Sequence, residues 1–230
     1  MVNSRAKYEG FIFMGKPTFQ EERIQSLGEE IANSVSHGVG FIAAIVISPI
    51  IILSAVQQGS TAGVVGASVF SFSLVMLYIV STLYHSLARN KAKRVFRILD
   101  HIVIFLMIAG TYTPFTLSVL KGSLGWTLFG LVWGLAFVGI IFQCFGGVKK
   151  SKLTVLLYLA MGWLIIIAVK PMLINMPLWG FFWLLIGGFA YTVGVCFYAA
   201  KKVRYAHFVW HLLVIVGSSC HSIAVLRYAV

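Results

Sequence analysis

Residues 205–227 read YAHFVWHLLVIVGSSCHSIAVLR and form the last long apolar stretch of the chain. Two histidines, His207 and His211, lie near its start and are four residues apart. On a helix, this spacing places both imidazoles on one face, one turn apart. A basic run, residues 201–204, comes directly before the stretch. The pattern predicts a membrane-spanning helix that carries two histidines close to one membrane surface.

The composition of the whole chain is that of an integral membrane protein. Of 230 residues, 60% are hydrophobic and only 10% are charged, and the mean hydropathy is +0.94. A soluble domain carries about 25% charged residues. Segments of this length must span as helices, because a barrel shows shorter stretches of alternating polarity. We therefore predict an all-α polytopic protein, a seven-transmembrane helix bundle. Its spans lie near residues 38–57, 62–84, 98–119, 125–145, 153–170, 178–199 and 207–226.

The basic residues indicate how the bundle is oriented. The formal net charge of +12 is compatible with nucleic-acid binding, but the lysines and arginines fall in short runs between the spans. If the N-terminus is inside, fifteen of the 18 lysines and arginines lie on the cytoplasmic side. Such an excess is typical of cytoplasmic loops. The sequence therefore predicts an inside N-terminus, an outside C-terminus and no nucleic-acid partner.

The residues before the first span divide into two predicted segments. Residues 1–17 are expected to form a poorly ordered tail. Residues 18–36 are expected to form an amphipathic juxtamembrane helix, in which Thr18 and Glu21 make a capping box. This helix is predicted to lie on the inner membrane surface or against the bundle. Residues 37–230 then form a single seven-helix transmembrane domain.

The histidines cluster at one face of this predicted bundle. With the N-terminus inside, five of the six histidines lie at inner ends of spans, near Asp100, the one acidic residue within a span. The sixth, His221, lies 14 residues beyond His207, which is about 21 Å along a helix. It therefore cannot share a metal ion with that residue. The five inner histidines are His37, His85, His101, His207 and His211.

A metal site is the chemistry that best fits this cluster. Three neutral imidazoles, from His85, His207 and His211, with water at the fourth position make a known type of catalytic zinc site. Asp100 could accept a hydrogen bond from that water or orient a ligand, and Ser81 could hold a water or a substrate carbonyl. The alternative is ordinary packing, in which the histidines lie at the interface and Asp100 pairs with a neighbouring arginine or caps its helix.

Four motifs together resemble the hemolysin III family of bacterial membrane proteins. They are EEIANSVSHG at residues 29–38, Ser81-x3-His85, LDH at residues 99–101 and His207-x3-His211. That family is related to the progestin and adipoQ receptors and more distantly to alkaline ceramidases.

The resemblance implies several properties. It implies a multi-pass protein of the bacterial plasma (inner) membrane, and a zinc ion near the cytoplasmic face on His85, His207 and His211. It also implies a bound water near Asp100 and Ser81. Asn33 and His37, in the first motif, would have a structural or supporting role. His101 matches no ligand position in the receptor branch of the family.

Three functions remain open at this stage. The first is a zinc-dependent hydrolase of a lipid amide or ester, with Asp100 as general base and a substrate that enters from the bilayer. The second is a pore-forming cytolysin, and the third is a receptor-like sensor of membrane state with structural zinc. Ion transport is less favoured, because few ionisable groups lie in the outer half of the bundle. Neither the substrate nor the oligomeric state follows from the sequence.

Overall fold

The structure, a computed structural model, describes residues 25–146 and 151–229, and these form an all-α bundle. Seven of its helical segments are long and apolar enough to cross a membrane. The predicted fold class is therefore confirmed for the part of the chain that is described. The helices are α1 (Leu27–Gln57), α2 (Thr61–Ser86), α3 (Lys91–Pro114), α4 (Gly122–Gly146), α5 (Ser151–Gly162), α6 (Val169–Asn175), α7 (Leu178–Ala199) and α8 (Ala206–Tyr228).

Two of the spans contain breaks in α-helical geometry that were not predicted from the sequence. After α3 the chain continues as a π-helical turn, Phe115–Val119, directly behind Pro114. The fifth span consists of α5, the 3-10 segment Leu164–Ala168 and α6. It ends at Asn175, five residues beyond its predicted end. The orientation of the bundle across the membrane remains a prediction.

Helix α1 joins the first span to part of the predicted juxtamembrane helix. It begins after Ser26, whose side chain forms a capping box with Glu29. The predicted capping box at Thr18 lies outside the described residues. Leu27 and Ile31 are 77% and 53% exposed, whereas Glu29 is 2% exposed. The apolar side of this segment therefore faces away from the bundle, and a polar side faces its centre.

The packing of the helices brings the start of α1, the end of α2 and the start of α8 together. Helix α1 packs against both α2 and α8, and α2 also packs against α3. Gly66 permits a close approach of α2 to α3, because a Cβ at this position would lie 2.6 Å from the Cα of Pro114. Hydroxyl groups within the spans, such as those of Ser73 and Thr113, donate to carbonyls four residues earlier. This satisfies their polar hydrogens in a bundle that lies in lipid.

Candidate metal centre

Three histidines from two helices meet at one end of the bundle. His85 lies in the last turn of α2, and His207 and His211 lie in the first two turns of α8. Each offers a ring nitrogen, and these three nitrogens all lie within 4.8 Å of one another. The cluster is the ligand set predicted from the sequence, and it could hold a metal ion. The identity of that metal remains a prediction.

The geometry of the ring nitrogens fits a tetrahedral cation. The Nε2 atoms of His207 and His211 are 3.1 Å apart. Two nitrogens bound to one zinc ion at about 2.0–2.1 Å in a tetrahedron lie about 3.3 Å apart. The Nε2 of His85 is buried and has no hydrogen-bond partner among the described residues. Buried polar atoms are normally satisfied, so this nitrogen is available to a ligand.

The outer nitrogens of two of these rings are held by hydrogen bonds that set the tautomer. The Nδ1 of His85 lies 2.8 Å from a carboxylate oxygen of Glu30, and the Nδ1 of His211 lies 3.1 Å from the backbone carbonyl of Asn33. Carboxylate and carbonyl oxygens only accept, so each Nδ1 donates its hydrogen. Each Nε2 then carries a lone pair, and that of His211 faces the Nε2 of His207 at 3.1 Å. Metal-binding histidines in proteins are oriented in the same way.

Glu30 is itself held in place by a cation. The Nζ of Lys93 lies 2.8 Å from the second carboxylate oxygen of Glu30 and also donates to the carbonyl of Leu87 at 3.2 Å. One carboxylate therefore connects α1 with the end of α2 and the start of α3. The hydrogen bond to His85 consequently has a fixed direction, which keeps the imidazole aimed at the cluster.

Glu29 connects α1 to the start of α8. One of its carboxylate oxygens accepts the backbone hydrogen of Tyr205 at 2.8 Å, and the other accepts the backbone hydrogen of Ser26 at 2.9 Å. Tyr205 directly precedes α8 and has a left-handed backbone, with φ of 58°, which is strained for a bulky residue. The buried Glu29 therefore fixes the residue directly before α8, two positions before His207.

His37 packs directly on the cluster. Its ring is stacked on that of His211, with centroids 3.6 Å apart and planes 12° apart. The ring of Tyr78 contacts the imidazole edge-on. His37 is buried, and neither of its ring nitrogens has a hydrogen-bond partner among the described residues. Its position fits the predicted supporting role, and it also brings two unused polar atoms to the cluster.

A cavity extends from the histidine cluster into the bundle. It encloses about 970 Å³, including space that opens to the surface. Asp100 and Ser81, the two residues predicted to be catalytic, line this cavity together with His37 and His211. The Oγ of Ser81 is buried without a hydrogen-bond partner among the described residues, so it can bond a ligand. The catalytic roles of Asp100 and Ser81 remain predictions.

The two remaining histidines do not belong to the cluster. His101 lies on α3, and its Nδ1 donates to the carbonyl of Arg97 at 2.7 Å while its Nε2 lies 3.2 Å from the hydroxyl of Tyr198. Both nitrogens are thus occupied in helix packing. His221 lies in the C-terminal half of α8, where its Nε2 donates to the carbonyl of Leu184. The sequence had placed both residues outside the ligand set.

Two parts of the site were not found from the sequence. Glu29 and Glu30 entered the sequence analysis only as the first residues of the motif at 29–38, and the hydrogen bond from His211 to the carbonyl of Asn33 carries no side-chain signal. A local signal did exist: Asn33 and His37 are one turn apart and place two polar groups on one face. Which residues that face contacts depends on helix packing, which the chain pattern alone does not give.

The fold and the cluster define a class of protein: a seven-helix membrane protein with a buried set of three histidines at one end of its bundle. The chain matches the family described as Haemolysin-III related over residues 25–222. It belongs to that family. The four motifs that suggested this resemblance all fall within the matched residues. Together with the seven apolar helices, the match identifies a multi-pass protein of a bacterial membrane.

Individual relatives agree with this assignment. The chain is 45% identical to Hemolysin-3 of Bacillus cereus over 204 residues, which cover 89% of this chain and 93% of the relative. It is 43% identical to a Hemolysin-3 homolog of Bacillus subtilis (strain 168) over 205 residues, covering 89% and 96%. A more distant similarity, 29% over 168 residues, is to the human Monocyte to macrophage differentiation factor and covers 70% and 69% of the two chains.

Proposed function

We propose that this protein binds zinc through His85, His207 and His211 and hydrolyses an amide or ester bond of a membrane lipid. One observation carries the proposal. The Nδ1 atoms of His85 and His211 are held by hydrogen bonds, the three histidines could hold a metal ion, and one of them, His211, lines a largely apolar cavity. A metal ligand set that borders such a cavity suits a substrate with a reactive carbonyl and an apolar chain.

The number of ligands supports a catalytic site rather than a structural one. Structural zinc has four protein ligands, whereas catalytic zinc keeps one open position. Among residues 25–146 and 151–229, the group that could hold a metal contains three side chains. When bound, zinc on three imidazoles supplies a Lewis acid for a carbonyl and lowers the pKa of water.

Two residues on the cavity wall would transfer the proton and bind the substrate carbonyl or the attacking water. The carboxylate of Asp100 accepts a proton from the attacking water and passes it to the departing nitrogen or oxygen as the acyl bond breaks. The hydroxyl of Ser81 donates to the substrate carbonyl or holds the water in place. His37, stacked on His211, limits the movement of that ring and helps to keep the ligand set rigid.

The lipid substrate would lie along the cavity and enter from the bilayer. Most of the wall beyond the histidines is apolar, with contributions from α2, α3, α5, α7 and α8. Burial of an acyl chain in this cavity is favourable by about 0.8 kcal/mol per methylene when the chain comes from water. A chain that comes from lipid is already in an apolar medium, so its transfer into the cavity is nearly neutral. Selection must therefore come from polar groups of the substrate. The apolar wall residues include Leu77, Ile104, Met107, Ile108, Leu159 and Val214.

The direct test is turnover by the purified full-length protein. A panel of lipid amides and esters in mixed micelles is assayed for released fatty acid by mass spectrometry, before and after zinc removal and again after zinc is restored. We expect turnover of at least one lipid class, lost on removal and regained on restoration. Turnover that does not respond to zinc would contradict the proposal, as would no turnover by zinc-loaded protein across the panel.

The names of the Bacillus relatives favour a second candidate, a pore-forming cytolysin. A pore requires a polar lining through the whole bilayer. In the described bundle, hydroxyls such as those of Thr111 and Ser222 donate back to their own helices. Dye release from liposomes at increasing protein-to-lipid ratios separates the two functions: a cytolysin causes leakage without zinc-dependent turnover. A receptor-like sensor with structural zinc would bind zinc and show neither activity.

A further inference from the structure

A third histidine lines the same cavity, far from the cluster. His221 follows His211 by ten residues on α8, which corresponds to about 15 Å along the helix. Both side chains are part of the cavity wall. His221 is 9% exposed, and the metal ligand set does not use it. The cavity therefore has polar groups at two places that are separated by the length of a long acyl chain.

The ring of His221 presents a hydrogen-bond acceptor that nothing described satisfies. Its Nε2 donates to the carbonyl of Leu184 at 3.2 Å, so in the neutral ring Nδ1 carries a lone pair. This Nδ1 is buried and has no hydrogen-bond partner among the described residues. The ring is held against α7 at Gly187, where a Cβ would collide with the imidazole. The acceptor is thus fixed in position.

Thr111 provides a second acceptor in the same cavity. It lies eleven residues beyond Asp100 on α3, as His221 lies ten beyond His211 on α8. Its hydroxyl hydrogen is donated to the carbonyl of Met107 at 2.8 Å, so its oxygen can only accept. Both residues line the cavity among apolar side chains. A ligand that fills this part of the cavity without a hydrogen-bond donor leaves buried acceptors unsatisfied, which is costly.

We propose that His221, with Thr111 as an alternative acceptor, forms a subsite for one hydroxyl group on the long acyl chain of a lipid, which donates its single hydrogen to one of the two residues at a time. The position of the hydroxyl follows from the geometry and rests on the proposed function, which places the acyl carbonyl at the histidine cluster. Carbon–carbon bonds of about 1.52 Å at about 111° advance an extended chain by about 1.25 Å each. A separation of about 15 Å then places the hydroxyl about twelve carbons from the carbonyl.

Binding of defined fatty acids to the full-length protein tests the subsite. The probes are octadecanoic acid and its analogues with one hydroxyl at carbon three, seven or twelve, each used to displace a fluorescent fatty acid in detergent micelles. We expect the carbon-twelve analogue to bind about tenfold more tightly than the unsubstituted acid, since one buried acceptor becomes satisfied. The other two analogues are expected to bind no better than the unsubstituted acid.

Matched variants assign the preference to the subsite. His221→Phe keeps a ring of similar size and is expected to abolish the preference, and Thr111→Val is expected to reduce it. Ser222→Ala is the control, because the Ser222 hydroxyl donates to the carbonyl of Ser218 and is not part of the cavity wall. Circular dichroism and size-exclusion chromatography check that each variant is folded.

Two outcomes overturn the subsite. The first is that wild type binds all the acids with equal affinity or binds none of them. Water would then be the partner of the His221 Nδ1. The second is a preference that persists in folded His221→Phe. Binding is measured rather than turnover, so the two proposals fail separately. A clear preference in a protein that hydrolyses nothing contradicts only the proposed function, and zinc-dependent hydrolysis without the preference contradicts only the subsite.

Discussion

His85 donates its Nδ1 hydrogen to the carboxylate of Glu30 over 2.8 Å. The two residues are 55 positions apart in the chain and lie on α2 and α1. This bond decides which nitrogen of His85 is free, and it aims that nitrogen at His207 and His211. A carboxylate behind a histidine also raises the basicity of the ring, which strengthens a metal bond.

Removal of this carboxylate is predicted to weaken metal binding while the fold is retained. Glu30→Ala should lower zinc affinity by about 10–100-fold, and Glu30→Gln should lower it less, because its amide oxygen can still accept from His85. Competition with a zinc chelator of known affinity measures the effect. The control is Ser34→Ala, which alters a contact between α1 and α2 at Ser86 without touching a ligand. Equal affinities for Glu30→Ala and Ser34→Ala would contradict the prediction.

The stacking of His37 on His211 gives a second prediction. His37→Phe keeps a flat ring against the ligand and should retain zinc, whereas His37→Ala leaves space beside His211 and should lower zinc affinity. Metal content after dialysis against a weak chelator compares the two variants. If the phenylalanine variant loses zinc as readily as the alanine variant, a ring nitrogen of His37 takes part in the site, and packing is not its main role.

Asp100 and Ser81 are expected to affect turnover more than metal content. Asp100→Asn should keep zinc and lose hydrolysis by about 10²-fold or more, because the amide cannot accept the proton of the attacking water. Ser81→Ala should also keep zinc and should show a smaller loss. Zinc analysis and turnover are measured on the same samples. Unchanged turnover in Asp100→Asn would remove this residue from the mechanism.

Glu29 is predicted to be important for stability rather than chemistry. Its buried carboxylate accepts hydrogens from the backbones of Ser26 and Tyr205. Glu29→Ala loses the capping interaction and leaves the Tyr205 backbone hydrogen unsatisfied, which should cost about 2–4 kcal/mol. Ser26→Ala is the control, because it removes only the cap and should cost about 1 kcal/mol. Thermal unfolding in detergent compares both variants with wild type. Equal midpoints for the two variants would show that the hydrogen bond from the Tyr205 backbone to Glu29 does not contribute to stability.

The spans could be predicted from the sequence because lipid requires long apolar segments. The sixth span, predicted as 178–199, coincides with Leu178–Ala199. The starts of α1 and α3 could not be predicted in this way. Hydropathy marks the part of a helix that lies in lipid, whereas helix ends are set by caps such as Ser26 and Asn90. The 3-10 segment at Leu164–Ala168 lies between Gly162 and Pro171, and a proline disrupts the helical bond to the carbonyl four residues before it, but the break was not predicted.

The ligands of the candidate site were predictable for a similar reason. The residues that hold these ligands in place, Glu29 and Glu30, were not. His207 and His211 are one helical turn apart, so local geometry alone puts them together. His85 could be added because its span ends at the same membrane face. Glu30 reaches His85 only through the packing of α1 on α2, and Glu29 reaches Tyr205 across 176 positions of the chain. Such contacts depend on the tertiary structure and have no local pattern.

The most direct test of the account is the metal content of detergent-purified protein, measured by mass spectrometry for wild type and for His211→Ala. His211 is buried at the centre of the cluster, in contact with His37, His85 and His207. We expect about one zinc ion per chain in wild type and its loss in the variant, because the variant lacks one of three ligands. A wild-type protein that is folded but free of metal after purification without chelator would contradict it.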